Sequence, residues 1–313
     1  MPVYMVGRRT RLQDNLSDEV VIEQIRQAGP ALGLPSLKAM FPKMPRCRLR
    51  EIQQKCRRQW RDGHAVVTER LHWLVPGAVW AGDFTELEAS IDGCFDYALS
   101  TRDLASRMHL LALPTQGEDA RIAVPAIEEL FRQHGAPLVY KTDNGSAFIS
   151  VEFRDLLDRW DVIPLLSPPC TPRYNGAAEA GIGSFKTRLF YRAMAHGTEG
   201  WTSDDAEAAR QQGNHAVQSF GQGRVTTPCH RWQERTPISP SQRQTFRQAV
   251  IEYRRQILAQ HGLEDEPIEY LSRRDRAASA RAAIRRALES LGYLLVTRKR
   301  ITPPFKALRQ LGG

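Results

Sequence analysis

Between residues 76 and 195, segments of strand period alternate with segments of helix period, and few folds can absorb that order. Val79, Ala81, Asp83 and Thr85 interleave with Trp80, Gly82 and Phe84, the period of two of a strand. Apolar runs at 94–100 and 108–113 follow, joined by a stretch starting Thr101-Arg102-Asp103, which predicts a hairpin. A helix is expected over 118–134, with Pro125 as a kink point and Gly135 at the C-cap. Residues 138–143 read as a short strand stopped by the turn pair Asn144-Gly145. A helix at 151–160, a strand at 162–166, a loop with three prolines at 167–176 and a long helix at 177–195 complete the series. The order predicts an α/β layer in which helices flank a mixed sheet.

The flanks differ from this centre in charge. Residues 1–62 hold 13 basic and 6 acidic residues, and residues 273–313 hold 11 and 2, whereas the 63–272 stretch holds 20 and 27. Basic ends around an acidic centre point to a polyanionic partner, nucleic acid being the commonest, with solubility as the bland alternative. No run of apolar residues is long enough to span a membrane, and the N-terminus has no signal-peptide core, so a cytoplasmic, nucleoid-associated protein without membrane contact is expected. Five scattered cysteines without a CxxC pair argue against a disulfide framework or a zinc knuckle.

The front reads as three helices. Ser17 is placed to cap the first, whose stripe is Val21, Ile22 and Ile25; a short one covers 36–41; the third starts near Pro45. Leu49, Ile52, Cys56 and Trp60 share one face of that third helix. Arg46, Arg48, Arg50, Lys55, Arg57, Arg58 and Arg61 crowd the rest of it, the pattern of a helix-turn-helix DNA reader or of a helical bundle with a solvated basic face. Behind the centre, a helix at 203–219 capped by Ser203 is expected, then one past Pro240 carrying Phe246, Val250, Tyr253 and Ile257. A last helix at 275–291 precedes a strand at 293–297 and the basic triplet Arg298-Lys299-Arg300, which reads as a wing-like DNA contact or as a frayed tail. The expected domains are 1–62, helix-turn-helix; 63–75, connector; 76–240, the α/β centre; and 241–313, a helical basic region for DNA binding or assembly.

Three carboxylates stand out by position. Asp83 sits inside a strand, where a carboxylate off an apolar face is costly unless it binds something. Asp143 ends a later strand, and Glu179 lies in the first turn of the helix after the proline loop. Singly, each has an ordinary reading as a turn residue or a helix-dipole acid. Together they are 60 positions apart and then separated by 35 residues. On these residues, in WAGDFT (80–85), KTDNGSAF (141–148) and SPPCTPRYNGAAEAGIGSFKTR (167–188), the sequence resembles the DDE superfamily of bacterial insertion-sequence transposases and retroviral integrases. The likeness covers about residues 76–235 and extends to the ends only in kind.

The resemblance implies a ribonuclease H-like fold and a DNA transposase or integrase, a polynucleotidyl transferase that cleaves DNA 3′ ends and transfers them to target DNA. It implies two Mg²⁺ ions, with Mn²⁺ as a substitute, Asp83 bridging both, Asp143 on one and Glu179 on the other, which suits hard cations. The implied partners are double-stranded DNA, at element ends and target, and further copies of the chain. A DNA-binding regulator of transposase origin and a ribonuclease H-type nuclease that cuts without joining are the alternatives. Lys186, two turns after Glu179 on the same face, is expected at the DNA end, with Arg173 and Arg188 on phosphates; Asn175 is expected to cap the helix and to lie at the DNA. Gly183 stands where relatives often carry a polar or basic residue, and Gly181 and Gly183 each cost helix stability, which a close approach of backbone or DNA would explain. His109 and His134 are expected to be structural, and Trp80, Phe84, Ile182, Phe185 and Leu189 to be core.

Overall fold

The computed structural model describes residues 17–168, 176–197, 200–221, 223–263 and 266–301. They form two compact units, one of residues up to 70 together with those from 297 on, the other spanning 71–296. In chain order the elements are α1 (Asp18–Ala28), α2 (Leu34–Met40), α3 (Arg46–Gly63), β1 (Val66–Trp73), β2 (Val79–Ile91), β3 (Phe95–Asp103), β4 (His109–Thr115) and α4 (Ala120–His134). Then come β5 (Val139–Thr142), α5 (Ser146–Ile149), α6 (Val151–Arg159), β6 (Ile163–Leu166), α7 (Gly176–His196) and α8 (Ser203–His215). The chain continues through β7 (Gln218–Ser219), β8 (Val225–Thr226), α9 (Pro228–Gln233), α10 (Pro240–Gln260), α11 (Arg273–Ser290) and β9 (Leu294–Ile301).

In the first unit, Val21, Ile25, Leu37, Phe41, Met44, Leu49, Ile52 and Cys56 form one buried cluster, as the spacing on α3 demands. Trp60 leaves that face, half-buried, and stacks on His64 at 4.2 Å. Ser17 occupies the N-cap position of α1, but its side chain makes no capping hydrogen bond. The stretch expected as a connector is instead largely strand: β1 pairs with β9, and the basic triplet lies inside β9 rather than in a turn. The two strands are more than 200 residues apart in sequence, so no local turn signal announces their pairing.

The second unit is built on a five-stranded sheet of order β4-β3-β2-β5-β6. β2, β3 and β4 are antiparallel, and β5 and β6 run parallel to β2. This is the mixed sheet flanked by helices that the element order predicts. Alternation along β2 sorts the core. Trp80 and Phe84 face α4 and α6 with Tyr140, Phe131, Phe153 and Leu156, and Val79 and Ala81 face the other way. On that second face α7 and α8 pack Phe185, Leu189, Ala206 and Ala209 over Leu87 and Ala98. Phe246 of α10 and Ile284, Ala287 and Leu288 of α11 pack with Val79, Ala81, Leu138, Val139 and Leu165. The core therefore does not stop at 240: the α10–α11 hairpin belongs to it. α8 is capped by Thr202, whose side chain accepts from the Asp205 N–H, while the Ser203 hydroxyl donates to Asp92.

Candidate active site

β2 and β5 are adjacent parallel strands in register Ala81 to Lys141, which sets Asp83 level with Asp143 two residues further along each chain. Gly82 makes the central crossing possible. A Cβ there would lie 2.7 Å from Tyr140 Cε1 and closer still to the phenolic oxygen, so only glycine lets the Tyr140 ring lie across β2. The Tyr140 hydroxyl reaches over to Thr101 Oγ1 at 2.9 Å, tying β5 to β3 on the sheet face opposite Asp83. Asp83 points to the opposite face, half-buried beside its cross-strand neighbour Ser100. Burial, and then the negative charges of Asp143, Glu118 and Glu179, push its carboxyl up to about 7.

Each residue of the Asp143-Asn144-Gly145 turn has a contact. Asp143 Oδ1 accepts from the Gly145 N–H at 2.9 Å. Asn144 Nδ2 donates to Ser167 O at 2.8 Å, and Ser167 N and Oγ both donate to Thr142 O, at 2.9 and 3.0 Å. The start of the loop leading to α7 is thereby stitched to the end of β5. Glu179 lies exposed on the first turn of α7, with Ala178 beside it buried in the core.

Two charged residues near the carboxylates were not singled out in the sequence. Lys141 is buried on the same sheet face as Asp83; burial pushes its ammonium down to about 8 against the pull of Glu179 and Asp83. A lysine two residues before the Asp that follows the strand, inside a four-residue strand buried throughout, was the available signal. Glu118, exposed before α4, adds negative charge near Asp83, and nothing in its local sequence marks it.

Residues 75–172 match the integrase core domain family. A 127-residue stretch is 32% identical to the Pol polyprotein of radiation murine leukemia virus (strain Kaplan), covering 40% of this chain and 22% of that one. Over the same length it is 31% identical to the Gag-Pol polyprotein of feline leukemia virus, covering 40% and 7%. The chain thus spans less than a quarter of these relatives' length. Residues 75–172 thus have the likeness of an integrase- or transposase-type catalytic core. Among solved structures, this protein is similar to a chain of the simian T-cell lymphotropic virus intasome in complex with the PP2A regulatory subunit B56 gamma, at 18% identity and TM-score 0.46 over 70% of this chain and 76% of that one. It is also similar to the HTLV-2 integrase catalytic core domain in complex with magnesium (dimeric form), at 21% identity and TM-score 0.39 over 50% and 97%.

Among the described residues of this integrase-type core, no three His, Cys, Asp or Glu side chains lie close enough together to hold a metal ion. The donor set still fits a hard divalent cation. It offers oxygen donors only, from three elements, and the proton affinity of Asp83 is raised in part by mutual repulsion that a cation would relieve.

The residues expected to track DNA fare unequally. Lys186 is half-buried, and its ammonium donates to the Glu86 carbonyl of β2. Arg188 Nη1 turns back to Ser184 Oγ at 2.7 Å and packs against Gly213. Arg173 and Asn175 lie outside the described residues. In the first unit, Arg50, Lys55 and Arg58 are exposed on α3. Arg48 Nε instead bonds Asp18 at 3.2 Å and its Nη1 Glu51 at 3.0 Å, and Arg57 Nε donates to Pro30 O at 2.8 Å. Arg298 pairs with Glu69 at 3.1 Å, Arg300 donates to Asp62 O at 2.8 Å, and Lys299 is exposed.

The two histidines are packing groups. His109 is buried with Nε2 2.7 Å from Ser100 Oγ. Burial, with Arg102, Arg210 and Arg188 nearby, pushes it down to about 3, so it is neutral at any working pH. His134 packs edge-on against Trp232, and its carbonyl accepts from Arg235.

Proposed function

We propose that this protein is a DDE transposase or integrase that cleaves DNA to expose a 3′ hydroxyl and joins that end to target DNA by in-line displacement. The observation that carries the reading is Asp83 on β2 beside Asp143, one residue past the end of the parallel strand β5, both inside the stretch similar to the integrase core domain, with Glu179 beyond that stretch adding negative charge at Asp83. In this reading Asp83, Asp143 and Glu179 hold two divalent cations, Mg²⁺ or Mn²⁺. When bound, these supply Lewis acidity at the attacking and leaving oxygens. Lys141 offsets part of the carboxylate charge from beneath.

The α3 face of Arg50, Lys55 and Arg58, with Lys299, supports DNA contact by the first unit. Assembly of several copies on DNA belongs to the same reading, and the exposed Phe190, Tyr191 and Met194 of α7 are apolar surface such an assembly would cover. Among the described residues no helix is long and apolar enough to cross a membrane.

The test is cleavage and joining of end-containing oligonucleotides with Mn²⁺ by the wild type and by Asp83→Asn, Asp143→Asn and Glu179→Gln. Wild-type joining lost in all three variants, with DNA binding retained, is the expected result. Cleavage without joining would make the protein a nuclease, binding alone would make it a regulator, and near-normal joining by Glu179→Gln would break the triad assignment.

A further inference from the structure

We propose that Arg102 is the positioning residue for Glu179, and that residue 181 must be glycine because the Arg102 guanidinium occupies the space its side chain would need. The inference rests on the functional reading above, because it concerns the same carboxylate.

Arg102 lies near the end of β3, paired with Ala81 of β2, two positions from the Ser100–Asp83 pair and on the same sheet face. Its Nε donates to Arg107 O at 3.0 Å, which holds the side chain at its root. Its Nη1 donates to Ala177 O at 3.2 Å, in the first turn of α7 and two residues before Glu179. A Cβ on Gly181 would lie 2.9 Å from Arg102 Cδ and 3.1 Å from Cζ, and would collide with Nη1. At Gly183, one turn-half further along, a Cβ would meet nothing within 4 Å. The two glycines therefore differ: Gly181 has a steric reason and Gly183 has none in this chain.

The start of α7 needs such an anchor. Gly176, Gly181 and Gly183 weaken its first two turns, and glycine is a poor helix former. Glu179 stands on those turns and adds negative charge at Asp83, whereas Asp83 lies inside β2 and Asp143 directly follows β5. One planar guanidinium, forked between the β3–β4 turn and the helix, fixes the distance between the Asp83 sheet and the Glu179 helix. Burial pushes Arg102 down to about 10, so the fork stays charged at neutral pH. The neighbouring charges are Arg107 and Arg188, which lower it further, and Asp103, which opposes them.

The experiment is a double-mutant cycle on the full chain with Arg102→Ala, Gly181→Ala and the pair, plus Arg102→Lys. Four readouts are taken: joining rate at saturating DNA, DNA affinity, Mn²⁺ affinity of the DNA-free protein, and amide exchange over 176–184. The clash at 181 falls on the far end of a side chain, so the Gly181→Ala methyl displaces the guanidinium rather than the backbone, and alanine favours the helix.

Gly181→Ala and Arg102→Ala should each lower the joining rate and weaken Mn²⁺ binding by about 10- to 100-fold, the scale of a misplacement near 1 Å. Melting temperature and DNA affinity should stay near wild type. The double variant should be no worse than Arg102→Ala alone, because the methyl then enters vacated space. Arg102→Lys should not rescue, since an ammonium cannot make both bonds. Amide exchange should speed up over 176–184 in Arg102→Ala. Wild-type joining by Gly181→Ala, additive losses in the double variant, or unchanged exchange in Arg102→Ala would each overturn the proposal. A wild type that neither cuts nor joins would instead remove the functional reading, and the exchange and Mn²⁺ cycles would still decide the role of Arg102.

Discussion

Asp83 carries a carboxyl that titrates near 7, against about 3.9 for a free side chain, and this has a consequence for the metal-free protein. A group whose folded-state pKa is raised favours folding while protonated. Its contribution is therefore fully present below about pH 4 and is lost as the pH rises toward 7. Asp83→Asn removes that loss. The variant should melt several degrees above wild type at pH 8 without divalent ions, at about 2–4 °C per kcal/mol for a chain of this size, and match it at pH 4. Added Mn²⁺ should raise the melting temperature of the wild type and leave Asp83→Asn nearly unmoved. A difference between the two proteins that is the same at both pH values would show that Asp83 does not carry the buried charge. At the same scale Gly82 is a steric requirement because it admits the Tyr140 ring, whereas at Gly145 a Cβ would lie 3.0 Å from Asp143 Oδ1, a tight contact that would press on that carboxylate.

At the scale of the element, α3 shows why counting arginines overstates a DNA-binding face. Leu49, Ile52 and Cys56 turn inward as their spacing requires, but the basic residues divide between two tasks. Arg57 closes the carbonyls of Pro30 and Leu32, and Arg48 ties α3 to Asp18 of α1, so both hold the three helices together. Arg50, Lys55 and Arg58 face solvent. Replacing each of these three by alanine should weaken DNA binding and flatten its dependence on log salt by about 0.9 per lost phosphate contact. Arg57→Ala should lower the melting temperature instead, with an unchanged salt slope. Titrations of a DNA duplex at several salt concentrations, beside thermal melts, check both; a flattened slope for Arg57→Ala would reverse the division.

At the scale of the whole molecule, α10 and α11 are part of the second compact unit, the one that carries the candidate site. Ending the chain at Ser239 would strip Phe246, Ile284, Ala287, Leu288, Tyr293 and Leu294 from the cluster that covers Val79, Leu138, Val139 and Leu165. Each of those four side chains left uncovered costs about 1.5–3 kcal/mol, and together they cost about 6–12 kcal/mol, comparable to the 5–15 kcal/mol that holds a typical domain folded. The truncated chain should be insoluble or lack a cooperative melt, as calorimetry and near-UV circular dichroism would show. A cooperative melt near the full-length temperature would restore a boundary at 240.

Local physics is enough to read much of this chain from its residues. Period-two alternation placed β2 and sorted Trp80 and Phe84 from Val79 and Ala81, because a strand's faces are set by its own backbone. The spacing of Asp83, Asp143 and Glu179 was legible for the same reason, each residue standing at a recognisable point on a recognisable element. What depended on partners far along the chain was not. β1 pairs with β9, and α10 and α11 close over the second face of the sheet, through contacts that no local pattern encodes. Lys186 bends onto Glu86 O and Arg102 fills the space beside Gly181, because a long cationic side chain goes where the fold leaves it an acceptor. Sequence alone determined most elements of the five-stranded sheet and its helices, and offered Asp83, Asp143 and Glu179 as the candidates for the chemistry. Only the tertiary structure decided which charges the fold itself consumes, since that depends on acceptors brought close by folding.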